Sequence, residues 1–420
     1  MFTSSHHKRL AHKAYGTSQA YGGSHLGGAL FWLGAGLTAY SYAGYPLLVT
    51  LLARLRPPVR FPAPSAWPPV TVLIAAYNEA DVIARKIENT LALDYPPALL
   101  QILVVTDGSD DDTPQIARRY AHRGVEVLHH PERRGKMAAI NRAMQAARGE
   151  IVVFSDANNL YQPDALRYLV APFGQAGIGA VSGAKVVLED GDTLGASEGL
   201  YWRYESFIKQ QETRLGSCTG VAGEIFAIRR ALFTPAPPGI INDDFYLMLQ
   251  ILRQGYRVVY APQARSTERV SASAQDEIER RSRIVAGRYQ ALARAPRWLP
   301  WQNPLLVWQI VSHKFTRPLV PLGMLAALLG NLLAVKASRR TVRPSLWRLS
   351  PPFGRPMLWG QAFFYLAALS GRFLPLSGKI TKVFYLPRFL LDSNLAALQG
   401  LLRFARGRQT VAWQRVRRRM

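Results

Sequence analysis

Gln101-Ile-Leu-Val-Val-Thr-Asp-Gly-Ser-Asp-Asp-Asp112 decides how this chain is read. A short apolar run, rich in β-branched residues, ends in Asp107, and Gly108 then supplies the backbone freedom that a tight turn needs. A carboxylate at the C-terminal end of a buried strand faces the crevice in which open α/β sheets bind ligands. The same design recurs at Glu150-Ile-Val-Val-Phe-Ser-Asp156. A third acidic pair, Asp243 and Asp244, stands in Ile240-Ile-Asn-Asp-Asp-Phe245, just ahead of a predicted helix.

Working outward, strands are expected at Val70–Ala76, Ile102–Val105, Val125–His129 and Ile151–Phe154. Helices are expected between them, at about Glu79–Ala92, Thr113–His122 and Lys136–Ala147. This alternation predicts an α/β fold with a mostly parallel sheet covered by helices. A strand near Gly179–Ser182 and a helix over Phe245–Arg253 extend the unit to about residue 265. No internal repeat is visible.

The ends of the chain differ in composition. Residues 1–25 are polar and rich in His, Gly and Ser, which predicts disorder. Leu30 to Ala53 carries no charge and is long enough for a membrane helix, since about 20 residues span a bilayer. Arg54, Arg56 and Arg60 follow it and predict a cytoplasmic C-terminal flank. Downstream, residues 300–317 read as an interfacial helix because Lys314 and Arg317 close a short apolar run. Residues 318–403 read as a membrane region with spans at Pro318–Val335 and Pro356–Leu374. Lys379–Leu402 holds Lys382, Arg388 and Asp392, so it is expected at the interface, with a fourth span as the alternative. Residues 404–420 form a basic tail suited to an acidic cytoplasmic leaflet.

Of the 420 residues, 52 are Lys or Arg and 27 are Asp or Glu, a net charge of +25 that favours an anionic partner. The single cysteine, Cys218, excludes an internal disulfide and a cysteine-rich zinc site. The arginines cluster beside the apolar segments and no nucleic-acid module is recognisable, so no nucleic-acid partner is expected.

Several short motifs carry chemistry. In Val70-Thr-Val-Leu-Ile-Ala-Ala-Tyr-Asn-Glu79 a strand runs into a polar turn where Tyr77 suits stacking on a flat ring. Asp110 and Asp112 are assigned to capping the helix at Thr113. Asp156 and Asn158 put two oxygen donors two residues apart, a pattern suited to Mg²⁺ or Mn²⁺ beside a diphosphate. Arg133-Arg-Gly-Lys136 opens a helix, where phosphate is readily held. A carboxylate of the Asp243-Asp244 pair is placed to take the proton of an attacking hydroxyl, with N-terminal capping as the structural alternative. Arg283 stands on a basic helix and suits a departing diphosphate.

Taken in order, Ala76-Tyr-Asn-Glu79, Asp107-Gly-Ser109, Gly135-Lys136 with Asn141, Asp156-Ala-Asn158, Gly223 with Arg229-Arg230, Asp243-Asp244 and Gly255 resemble the membrane-embedded family 2 glycosyltransferases. That group contains cellulose, hyaluronan and poly-N-acetylglucosamine synthases. The likeness covers roughly residues 68–290 and implies a GT-A fold, a Rossmann-like mixed sheet, with inverting transfer from a nucleotide sugar. By this resemblance Ala76, Tyr77, Glu79 and Asp107 hold the nucleobase, usually uracil. Lys136 and Arg283 attend the diphosphate, and Asp156 is the metal ligand of the D-x-D motif, with Asn158 beside it. Asp244 is the general base, and Gly223, Glu224, Asp243 and Ile284 lie on the acceptor side. The resemblance further implies a divalent cation, a UDP-linked donor and a glycan or lipid-linked acceptor. It also implies membrane lipids, an export or co-synthesis subunit, and a multi-pass place in a bacterial inner membrane with a cytoplasmic catalytic domain.

The departures are specific. Asn158 replaces the second aspartate of D-x-D, and Asn242-Asp243-Asp244 replaces Thr-Glu-Asp. Arg280-x-x-Arg283-Ile284 stands where polymer synthases carry Gln-x-x-Arg-Trp, so single transfer is the expectation more than processive synthesis. Two other readings accompany it: a polyprenyl-phosphate sugar transferase, and a degenerate GT-A domain that only binds nucleotide or an anionic polymer.

Overall fold

The computed structural model describes residues 25–188, 193–269, 274–337, 343–373 and 381–407. The polar start of the chain and the basic tail beyond residue 407 lie outside the described residues. Two compact units are formed, one from 1–45 with 316–398 and the other from 46–315 with 399–420.

The larger unit is built on one eight-stranded sheet. Its strands are β1 (Val70–Ala76), β2 (Leu100–Asp107), β3 (Val125–His130), β4 (Ile151–Asp156), β5 (Leu160–Tyr161), β6 (Ile178–Leu188), β7 (Phe226–Arg229) and β8 (Arg257–Arg269). Their order is β3-β2-β1-β4-β7-β6-β8-β5. The first four are parallel, and β7 then runs antiparallel to both β4 and β6. The sheet is therefore mixed, and the expected parallel character holds for its first half. The chain leaves β1 toward β2 and β3, then returns to β1's other side as β4. That reversal creates the switch point at which such sheets bind ligands.

Strand composition explains the burial. All of β1 is buried, and its alternate residues serve two cores. Leu73 and Ala75 pack with Met137, Ile140 and Met144, whereas Val72 and Ile74 pack with Ile83 and Ile87. Both faces are thus covered by helices, so the strand reads as a continuous apolar run. Each fully buried Val, Leu or Ile contributes about 1.5–3 kcal/mol. Register then delivers the acidic ends to one edge: Ala75 pairs with Val105 on one side and with Asp156 on the other.

Sequence pattern missed several elements. The 23-residue helix Thr193–Leu215 and the strands β7 and β8 complete the sheet's second half. Tertiary pairing, more than local propensity, makes β7 a strand: it has four residues, wedged between β4 and β6.

The smaller unit is helical. A helix from residue 25 packs against Thr316–Ala337 through small residues. A Cβ on Gly34 would lie 2.1 Å from the Gly323 carbonyl oxygen, and one on Gly27 would lie 2.7 Å from that of Gly330. Such close backbone approach is characteristic of helices that associate in membranes. Leu325, Leu329 and Leu332 stay exposed on Thr316–Ala337, as do Trp359, Phe363 and Leu366 on Gly354–Phe373.

One helix among the described residues, Pro304–Ala337, is long and apolar enough to cross a membrane. The multi-pass expectation is therefore not supported. Within the expected interfacial segment 300–317, helix runs unbroken from Pro304 through a π-turn at Val311–Phe315. Lys314, which with Arg317 suggested an interface, is buried against the Glu205 carboxylate.

Candidate active site

Four loops meet at the C-terminal ends of β1, β2 and β4. The β2 loop organises the first of them. Gly108 adopts φ +67°, and a Cβ there would lie 2.6 Å from Arg133, so only glycine fits. Asp107 is wholly buried, and its Oδ2 accepts hydrogen bonds from the backbone N–H groups of Arg134 (2.9 Å) and Gly135 (2.6 Å). Arg142 Nη1 lies 3.7 Å from its other oxygen. Asp107 thus fixes the turn that leads into the helix Lys136–Ala146.

Tyr77 does not present a bare ring, because the Arg133 guanidinium lies 3.7 Å from its centroid. Ala76 is fully buried and carries the chain to that ring. Asn78 adopts φ +53° and exchanges hydrogen bonds with Asp110, 2.6 Å in one direction and 3.1 Å in the other. Glu79 precedes the helix Ala80–Leu91, and its N–H donates to Thr113 Oγ1 at 2.7 Å. The capping expected of Asp110 and Asp112 falls to Asp111, which accepts from Thr113 N–H at 3.0 Å and from Ala80 N–H at 3.1 Å. Asp110 is instead the partner of Asn78, because the two loops clamp one another.

Lys136 joins the acidic groups. Its Nζ donates to Asp156 Oδ1 at 2.9 Å and lies 3.1 Å from Asp243 Oδ2. Burial alone would lower the lysine's pKa, but Asp156 and Asp243 raise it well above the ordinary value. For Asp156, loss of water acts upward, yet Lys136, then Lys185 and Lys86, hold the carboxyl below its usual range. Its side chain is 40% exposed, which leaves it open to a ligand.

Asp243 and Asp244 open the helix Asp243–Arg253. Asp244 Oδ1 accepts from the Phe245 N–H at 2.7 Å. Burial first, and the neighbouring Asp243 second, push the Asp244 pKa up to about 6, against the pull of Lys136 and Arg288. Gly223 allows this placement, since a Cβ on it would lie 3.2 Å from that of Asp244. Arg283 is half-buried in the field of Asp243, Asp156 and Asp244. The Ile284 carbonyl accepts from Asn242 Nδ2 at 2.9 Å, so the residue replacing the expected threonine braces the basic helix Ala274–Ala293.

The structure thus brings Lys136, Asp156, Asp243, Asp244 and Arg283 into one electrostatic group. Two expected site residues are engaged elsewhere. Glu224 is buried, with its Oε1 3.2 Å from Lys185, and Lys185 also pairs with Glu268. Asn158 Nδ2 donates to Glu268 Oε1 at 3.2 Å, while its buried Oδ1 has no hydrogen-bond partner.

Sequence reasoning missed Lys86 and Asn159. Lys86 is fully buried, and its Nζ donates to the Asn159 carbonyl at 2.9 Å while lying 4.1 Å from the Tyr161 ring centroid. Burial lowers its pKa to about 7, opposed by Asp156 and Glu224. Asn159 Nδ2 donates to Ser266 Oγ at 2.6 Å and to the Glu224 carbonyl at 3.0 Å. The pair pins the turn after Asp156 from behind. A signal was present: Ile83, Lys86, Ile87 and Thr90 share the buried face of one helix, so a lysine stands in an apolar stripe.

Comparison with known proteins bears on this arrangement. The profile of the family described as glycosyltransferase like family 2 matches residues 68–287, just over half of the chain. Poly-beta-1,6-N-acetyl-D-glucosamine synthase of Staphylococcus aureus (strain MSSA476) is 26% identical over 231 residues, 54% of this chain and 56% of the relative. The Staphylococcus epidermidis protein of the same name is 23% identical over 201 residues, 46% of this chain and 48% of the relative. The chain therefore spans about half the length of the curated relatives it matches. A solved structure, the mannosyltransferase PcManGT from Pyrobaculum calidifontis in complex with GDP-Man and Mn²⁺, is similar with a TM-score of 0.63 and 25% identity. That match covers 88% of this chain and 99% of the other.

Proposed function

The chain belongs to the family 2 glycosyltransferases, and from that premise we propose that it transfers a sugar, with inversion, from a nucleotide sugar to a glycan or lipid-linked acceptor. The observation that carries this reading is Asp244. Its carboxyl, raised to about 6, ionises just below neutral pH and stands beside the Lys136–Asp156–Asp243 group. A base of that strength accepts a hydroxyl proton near neutrality. Lys136 and Arg283 offset the charge that develops on a departing diphosphate. Asp107 shapes the turn that receives the donor, and Tyr77 with Arg133 forms its flat, cationic wall.

The oxygen donors fit a divalent cation. Asp156 is held ionised and open, and the buried Asn158 Oδ1 is an unpartnered acceptor two residues away. Hard cations such as Mg²⁺ and Mn²⁺ favour such ligands. Among the described residues no three His, Cys, Asp or Glu side chains cluster to hold a metal alone, and the phosphates of a bound donor would supply further oxygens. When bound, the cation supplies charge stabilisation to the leaving group. The solved relative holds Mn²⁺ with GDP-Man, which supports this assignment.

A UDP-linked donor is the first choice, and N-acetylglucosamine the first sugar, because the curated relatives are named for that polymer. The apolar Pro304–Ala337 helix and the exposed leucines it carries support membrane association, and Arg54, Arg56 and Arg60 favour a cytoplasmic catalytic unit. The missing tryptophan at Ile284 favours single transfer, in exopolysaccharide or cell-envelope glycan assembly.

The test uses purified protein in nanodiscs with a panel of nucleotide sugars and Mn²⁺ or Mg²⁺, following nucleotide release and product size. Release with one sugar and a short, acceptor-dependent product supports the reading. Nucleotide binding without release across the whole panel overturns it in favour of a degenerate domain.

A further inference from the structure

A second group of charged side chains lies outside the site just described. Glu205 and Glu212 sit two turns apart on the helix Thr193–Leu215, and His313 and Lys314 lie in the π-turn Val311–Phe315. All four are buried. His313 Nδ1 donates to Glu212 Oε1 at 2.8 Å. Lys314 Nζ donates to His313 Nε2 and to Glu205 Oε2, both at 3.1 Å. The imidazole thus lies between the two carboxylates, with Glu205 Oε1 3.4 Å from its Nε2.

The cluster grips one loop. Glu212 accepts from the Thr219 N–H and from the Thr219 hydroxyl, each at 2.8 Å. Lys314 Nζ lies so close to Gly220 that a Cβ there would stand 2.5 Å from it. The far side of the loop is tied as well, since Cys218 N–H donates to the Val258 carbonyl at 2.7 Å and Ala222 N–H to Ser182 Oγ at 3.1 Å. The next residue is Gly223, which stands against Asp244.

Buried ion pairs give little net stability, and apolar residues of similar size often replace them without loss. Four such groups buried behind one loop, with Glu212 bonded to it and Lys314 packed on it, therefore call for a role beyond stability. A loop held by hydrogen bonds to a buried carboxylate has one conformation, whereas an apolar contact tolerates several.

We infer that Glu212 and His313 are positioning residues, which set the 217–224 loop against Asp244 and so fix the acceptor side of the site without touching the donor. The inference rests on the reading of Asp244 as base. Glu212 acts through Thr219, and His313 orients Glu212. The π-turn suits this work, because such turns recur at functional positions where a side chain must be re-aimed.

The experiment uses the full chain in nanodiscs with the variants Thr219→Val, Thr219→Ser and His313→Gln. Without any ligand, hydrogen exchange of the 217–224 amides should speed up by about tenfold or more in Thr219→Val and His313→Gln, the loss of one charged hydrogen bond, with β1 to β4 unchanged. In turnover, acceptor KM should rise or kcat fall by about tenfold, while the Kd for UDP with Mn²⁺ stays within about twofold. Thr219→Ser keeps the hydroxyl and should restore both. Unchanged loop exchange, or donor affinity falling in step with turnover, overturns the inference. If the unaltered protein releases no nucleotide from any donor, the reading of Asp244 fails, and the exchange arm alone still decides whether the cluster holds the loop.

Discussion

Lys136 Nζ lies 2.9 Å from Asp156 Oδ1, so an ammonium from the helix that follows β3 neutralises the carboxylate at the end of β4. The same Nζ reaches Asp243 at 3.1 Å and ties the helix Asp243–Arg253 to the sheet edge. Removing one partner from a charged hydrogen-bonded pair costs about 1.5–3 kcal/mol. Lys136→Met should therefore weaken nucleotide-sugar binding by roughly 10- to 100-fold. Titration calorimetry with UDP and Mn²⁺ measures this, and an unchanged Kd would remove the lysine from the donor site.

Asp244→Asn should lower transfer by about 10²–10⁴-fold while donor binding stays nearly intact. Residual transfer with lost binding would count against its role as base. Transfer by the unaltered protein should rise as pH passes through about 6 and level off above it. Stability has the opposite sign: a carboxyl whose folded pKa is raised stabilises the fold below its unfolded pKa, and that contribution is lost as pH rises through about 6. Asp244→Asn should consequently raise Tm at pH 7.5 and change it little near pH 4.

Lys86→Met should loosen the turn after Asp156 by freeing the Asn159 carbonyl that the ammonium now satisfies. We expect a Mn²⁺ affinity, read by paramagnetic resonance with UDP present, reduced about tenfold by the loss of that bond. Asp156→Ala sets the lower limit in the same titration. A metal titration unchanged in Lys86→Met would mean that the turn holds itself.

Ile284→Trp should lengthen products if acceptor stacking limits processivity. The site can be tested without disturbing its brace, because Asn242 engages the backbone carbonyl of Ile284 and not its side chain. Chromatography of products from one donor and one primer reads the result, and an unchanged length distribution would leave processivity to other residues.

Legibility in the sequence followed the range of the interactions concerned. The strands β1 to β4 were readable because each is a local apolar run closed by a turn or an acid. Those runs also put Asp107 and Asp156 at one edge. The β6 to β8 half was less readable: β7 is four residues long and β8 carries four charged side chains between Arg257 and Arg269. Pairing partners, not composition, make them strands. The surroundings of Lys314 were unreadable for a related reason. Hydropathy treats Lys314 as a charge seeking water, whereas its partner Glu205 lies 109 positions away in sequence.

The sequence by itself determined the α/β architecture, the acidic strand ends and the family, because strand patterning and turn glycines act over a few residues. Tertiary structure alone decided which groups meet. It stacked Arg133 on Tyr77, turned Asn158 toward Glu268, buried Lys86 behind Asp156 and raised the pKa of Asp244. Each of these depends on distance and on exclusion of water between groups remote along the chain, and neither quantity exists until the chain has folded.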